Sequence, residues 1–326
     1  MRLIKLIPDD TNIHFLKWRV PFYVVSMLLI AASLTLTVTR GLNLGVDFVG
    51  GQQIQVTFPE RGEAPVAELR EDVAALGYGE PVIQRADAAN SVNIRFRLPP
   101  EVQANPQASD AMTSRVTKAI TGNFADARID DLSAVSGKVS GELFTTAMYA
   151  LLAAMAAISI YIWVRFEWQF GVGALFALFH DVSLTLGMFA LFQFEFDLKI
   201  IAAILTIIGF SLNDTIVVYD RIRENLKKYR KMPLPELLDL SVNETLSRTV
   251  MTSLTLLAVL IALLLLGPAS LFGFTAAITL GIFVGTYSSV YMAAPILIWL
   301  GVTSDSFVPQ QENRADAQER KLRGGA

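Results

Sequence analysis

Residues 200–219, IIAAILTIIGFSLNDTIVVY, carry a single charged side chain, Asp214, in an otherwise apolar or neutral stretch. A run of this length reads as a membrane-crossing helix, which needs about 20 residues. An ionised carboxyl near the middle of such a helix costs about 2.5–3.5 kcal/mol on insertion scales, so it faces a partner or a water-filled path. Asp214 is therefore a candidate functional residue; the alternative is a polar contact that locks two helices together.

Working outward, hydrophobic residues make up 53% of the chain, too many for an ordinary soluble domain. Long apolar runs with few or no charges place six spans at 20–39, 142–164, 169–193, 199–220, 248–267 and 271–300. The last two share the uncharged run 249–304, which Gly267-Pro268 divides, because proline has no amide proton and Gly-Pro favours a turn. The first span exceeds the 7–15 residue core usual for a cleaved signal and reads as a retained anchor. Basic residues set the orientation. Arg2, Lys5, Lys17 and Arg19 precede span one, Arg165 follows span two, and the segment 221–247 with Arg248 is strongly basic, whereas the opposite loops carry Lys199 alone. This predicts a multi-pass protein with both ends, 1–19 and 301–326, in the cytoplasm. The tail 310–326 is polar and reads as disordered.

Residues 40–141 are then the one sizeable soluble domain, on the far side of the membrane. GQQIQVTF (51–58) alternates as a strand does, 66–77 has helical spacing, and PVIQRAD and SVNIRFRL read as two further strands. A helix over 108–124 and an extended segment over 127–135 complete a β-α-β-β-α-β order, the ferredoxin-like α+β arrangement. The domain has more acids than bases, which argues against a nucleic-acid partner. There is no cysteine, and the two histidines, His14 and His180, lie outside it, so a Cys/His metal centre or a cysteine nucleophile is excluded. No nucleotide-binding or hydrolase motif is present. An enzyme is not expected.

Two further elements stand out. Between span one and the first strand runs Gly45-Val46-Asp47-Phe48-Val49-Gly50-Gly51, read as a structural junction: Gly45, Gly50 and Gly51 permit tight backbone approach, and Asp47 acts as a local turn acceptor. In span six Gly273, Ala277, Gly281, Gly285 and Ser289 recur every four residues, a helix-packing ladder.

The stretch Ser211–Asn225, SLNDTIVVYDRIREN, together with the GVDFVGG junction, Phe179-His180-Asp181-Val182 and the six-span layout, resembles the SecF family of the bacterial SecDF protein-export complex. The resemblance covers nearly the whole chain. It implies one half of an RND-type transporter, with SecD supplying the other half, that uses the proton-motive force to draw polypeptides out of the SecYEG channel across the inner membrane. No cofactor is implied beyond protons as the coupling ion. The partners it implies are SecD, SecYEG, the translocating polypeptide and the lipid bilayer. Residue by residue, Asp214 matches the family's membrane carboxylate and Arg248 the arginine that works with it, so that making and breaking their contact would switch Asp214 between holding and releasing a proton.

Other readings stay open at this stage. Arg248 also fits a positive-inside anchor that snorkels to the interface, although Thr252 and Thr255 extend its face into the span. Asn213 supports the relay or bonds a neighbouring helix. His180 and Asp181, adjacent in span three, either join a proton path or brace the helices. Asp220 and Arg221 should reach the interface as a solvated or paired end. An RND-like transporter of small molecules or lipids, or an inert membrane scaffold, are the alternative functions.

Overall fold

The computed structural model describes residues 8, 11–78, 81–85, 89–96, 106–135, 137–267 and 271–302. Six of its helices are long and apolar enough to cross a membrane. Span one is Arg19–Thr39, span two Gly137–Arg165, span three Trp168–Phe192, span four Leu198–Lys228 and span five Leu234–Leu266. Span six is built from Phe272–Ser288, a π-helical turn at Ser289–Ala293 and a last segment at Ala294–Trp299. The polar tail beyond 302 and the Pro268 break lie outside the described residues.

Burial divides the spans. Two-thirds (67%) of the most apolar window of span six is buried, and spans three and four follow at 50% and 56%, but spans two and five reach only 11%. Three, four and six therefore form the interior of the bundle, where Gly173, Ala174 and Ala177 of span three and the small residues of span six let helices approach closely. Segment 221–247, read from its charges as a connecting loop, is helical over most of its length. Spans four and five run on past their apolar parts, and only residues 229–233 join them, with Pro235 in the first turn of span five.

Strands β2 (Gly51–Thr57), β3 (Val82–Arg85), β4 (Ser91–Phe96) and β5 (Arg128–Val135) form one antiparallel sheet in the order β3-β4-β2-β5. Helix Val66–Ala75 lies between β2 and β3 and helix Pro106–Asn123 between β4 and β5, so the elements run β-α-β-β-α-β along the chain. The period-2 alternation of β2 sends Ile54 and Val56 inward, where they meet Leu69 and Val73 of one helix and Val116 and Ile120 of the other. The opposite, polar face of the sheet (Gln53, Gln55, Asn93, Arg95) looks onto the ends of the spans across a cleft of about 660 Å³.

That end is tied down by the Gly45–Gly51 junction. β1 (Asn43–Leu44) pairs in parallel with β6 (Glu195–Phe196) in the turn between spans three and four. Gly45 N–H bonds the Phe196 carbonyl at 2.9 Å, and a Cβ on Gly45 would come within 2.7 Å of Glu195 Oε1. Gly50 has φ 71°, a left-handed conformation that favours glycine. Asp47, expected to serve its own turn, instead accepts the N–H of Leu198 at 3.1 Å, capping span four from 151 residues away. The reason is the β1–β6 pairing, which folds the junction over the start of that helix. Arg95 of β4 forms an ion pair with Glu195, fastening the sheet to the same turn.

Candidate functional site

Asp214 sits on the inward face of span four with 6% of its surface exposed. Thr249 of span five donates to its Oδ1 at 2.6 Å and Ser289 of span six to its Oδ2 at 2.7 Å. Neither partner is charged. Arg248 lies one residue from Thr249 but its side chain is exposed, and no ion pair joins it to Asp214 among the described residues. The direct Asp214–Arg248 contact suggested by the resemblance is thus absent from this arrangement. Adjacent helical residues point about 100° apart, and span five turns Thr249 inward, leaving Arg248 outward. The polar face extending from Arg248 is displaced likewise: Thr252 and Thr255 are exposed and bond back to Arg248 and Met251 carbonyls, while buried Ser253 pairs with Thr286 at 2.7 Å.

One helical turn before Asp214, Ser211 reaches span three. Its hydroxyl donates to Asp181 Oδ2 at 2.5 Å, and Ser288 of span six donates to the same oxygen at 3.0 Å. Asp181 Oδ1 meets His180 Nδ1 at 2.8 Å, and His180 Nε2 meets the Tyr287 hydroxyl at 2.5 Å. His180 and Asp181 are both fully buried. The assignment that satisfies every atom places the imidazole proton on Nδ1, donating to Asp181, and leaves Nε2 to accept from Tyr287. Tyr287 also packs against Phe22 of span one, with ring centroids 6.4 Å apart.

Asn213 is exposed on the outer face of span four with Thr206 and Asp220, away from Asp214 and its partners. At the charged end of the bundle Asp220 lies 3.5 Å from Arg165 and 3.7 Å from Arg223, and Arg221 is held by Glu244 at 2.7 Å and Glu224 at 2.6 Å. The span-six ladder lies along span four: a Cβ on Gly281 would overlap Ile207, Gly285 faces Ser211, Gly273 faces Ile200, Ala277 is fully buried, and Ser289 reaches Asp214.

Sequence reasoning missed Thr249, Ser211, Ser288 and Tyr287, and it read Ser289 as packing alone. Hydroxyls in uncharged spans were the available signal, but serine and threonine commonly return their hydroxyls to the carbonyl four residues back, as Thr206 and Thr279 do here. Spacing does not separate the two uses.

A family model described as Protein export membrane protein SecD/SecF, C-terminal, matches residues 115–303, and the SecD/SecF GG Motif matches 35–58, around the junction. The protein translocase subunit SecF of Cereibacter sphaeroides is 43% identical, with 97% of each chain covered. That of Vibrio alginolyticus is 38% identical over 97% of this chain and 98% of its own. Among solved structures, the crystal structure of SecDF, a translocon-associated membrane protein from Thermus thermophilus, matches with a TM-score of 0.80 at 34% identity, covering 90% of this chain. A SecDF structure in its super-membrane-facing form matches with a TM-score of 0.66 at 34% identity over 99% of this chain. The chain spans 39% and 41% of the length of those two proteins.

Proposed function

This chain belongs to the SecD/SecF family of protein export membrane proteins, and from that premise we propose that it carries the proton that powers late export, with Asp214 as the carrier. Its role in Sec-associated protein export follows from the family. The finer reading has it work in the bacterial inner membrane, both ends cytoplasmic, beside SecD, with the pair acting on polypeptides leaving SecYEG. The coupling ion is the proton, and neither a cofactor nor an enzymatic step is required.

The observation that carries this reading is the setting of Asp214: a carboxyl deep in a membrane bundle, held by two hydroxyls and no cation. A hydroxyl both donates and accepts, so Thr249 and Ser289 serve the carboxylate and the carboxylic acid with rotation of an O–H bond alone. A site that merely joined helices would not need an ionisable group at such cost. Each proton crossing the membrane field supplies about 2.3 kcal/mol per 100 mV, and several would move a domain. Arg248 takes its part by exchange. A rotation of span five by about 100° replaces Thr249 with Arg248 beside Asp214, and the guanidinium then favours release of the proton.

A secretion assay with and without a membrane potential tests this. Asp214→Asn is expected to lose proton-dependent late translocation while still assembling with SecD. Proton-driven export retained by that variant would overturn the reading.

A further inference from the structure

We propose that His180 and Asp181 form a second proton-binding site, which receives the proton before Asp214 does; the proposal rests on Asp214 being the carrier. The pair is an ionisable imidazole and carboxyl, both fully buried, with no lysine or arginine ion-paired to either among the described residues. Desolvating such a pair costs more than an isosteric neutral contact would, so bracing the helices alone does not account for it.

The groups bonded to the pair come from spans four and six. Tyr287 and Ser288 approach from span six and Ser211 from span four. All are hydroxyls, and among the described residues Tyr287 is the one other titratable group hydrogen-bonded to the pair. The hydrogen bonds form a line from Tyr287 through His180 and Asp181 to Ser211. From there Asp214 is three residues on, about 4.5 Å along the helix. Span six makes the same step, since Ser288 bonds Asp181 and the next residue, Ser289, bonds Asp214.

The order follows from the direction of span four. Ser211 lies nearer than Asp214 to Leu198, the end that meets the soluble domain. A proton driven inward from that side thus reaches His180–Asp181 first. It binds at Nε2 of neutral His180 while the Nδ1 proton passes to the Asp181 carboxylate, leaving the imidazole neutral in its other tautomer and Asp181 a carboxylic acid. That acid then gives its proton by way of the Ser211 hydroxyl to the Asp214 carboxylate. Asp181 is again ionised, and His180 is left neutral with its proton on Nε2, where it faces Tyr287.

Infrared difference spectra of the full-length protein in lipid nanodiscs, titrated with pH, test this. Against the bands of the solvated acids, two C=O bands of carboxyls in an apolar setting are expected in the wild type, each identified as the one its own Asp→Asn variant loses. Asp181→Asn should remove one and shift the midpoint of the other by about one pH unit, as coupled sites do. Tyr287→Phe, which keeps the ring near Phe22 but drops the hydroxyl, should move the Asp181 band more than the Asp214 band. A spectrum from which Asp181→Asn removes no titrating band, or an Asp214 midpoint unmoved in both variants, would sink the proposal. If Asp181→Asn does not fold, His180→Gln and Tyr287→Phe give the same readout. The two readings fail separately: export retained by Asp214→Asn removes the carrier, whereas export lost by Asp214→Asn with a silent Asp181 removes this second site alone.

Discussion

Two neutral donors hold Asp214, and each is a hydrogen bond to a group that becomes charged, worth about 1.5–3 kcal/mol. Thr249→Val keeps the shape and removes one donor. Proton-driven export is expected to slow about tenfold, since 1.4 kcal/mol corresponds to a factor of ten, and its pH optimum to move, both read in the secretion assay. An unchanged rate would mean that Thr249 does not govern proton holding. In the soluble domain, Arg61 reaches Asp126 through two hydrogen bonds of 2.8 and 3.0 Å and holds its carboxyl below the usual carboxylate range. Because the folded value is depressed, the stabilisation is complete above the unfolded value near pH 4 and is lost as the pH falls through the folded one. Asp126→Asn should flatten the acid limb of thermal unfolding in the full-length protein. Asp214 was legible as a residue because one charge among apolar neighbours is conspicuous. Thr249 was not, because Arg248 beside it carries the conspicuous group.

Span six shows how an element places these residues. Its small residues bring it onto span four, and at Pro295, which has no N–H to give the carbonyl four residues back, the helix widens into the π turn Ser289–Ala293. Two tyrosine hydroxyls take the carbonyls there: Tyr23 of span one donates to Met292 at 2.8 Å and Tyr219 of span four to Ala293 at 2.9 Å. Ser289 opens that turn, so the π geometry helps aim it at Asp214. Tyr219→Phe should cost about 1 kcal/mol in a membrane-unfolding measurement, in line with interhelical hydrogen bonds in bilayers. No change in stability would mean that the carbonyl is satisfied without it. The four-residue repeat was readable from the sequence, but the π turn was not, since a proline marks a disturbed helix without fixing how its carbonyls are recovered.

At the scale of the molecule, the soluble sheet and the six-helix bundle meet at one turn, through the β1–β6 pair and the Arg95–Glu195 ion pair. That turn leads into span four, which carries Ser211 and Asp214, so span four and the domain are joined through it. The chain has no cysteine, and Asn43 lies directly opposite Glu195. Neighbouring strands are about 4.8 Å apart, within reach of a disulfide. Asn43→Cys with Glu195→Cys should cross-link under mild oxidation, halting proton-driven export until a reductant restores it. Equal export by the oxidised and reduced forms would exclude a domain movement at this turn.

The sequence by itself determined the six spans, the strand alternation of the soluble domain and the isolated carboxyl at 214, because each depends on period or composition along one element. Tertiary structure alone decided that Asp214 meets Thr249 and Ser289 and not Arg248, that Asp47 caps span four, and that His180–Asp181 joins spans three, four and six. The physical reason is that spacing fixes which residues share a face of one helix, whereas the rotation of that face toward another helix is set by close packing between them.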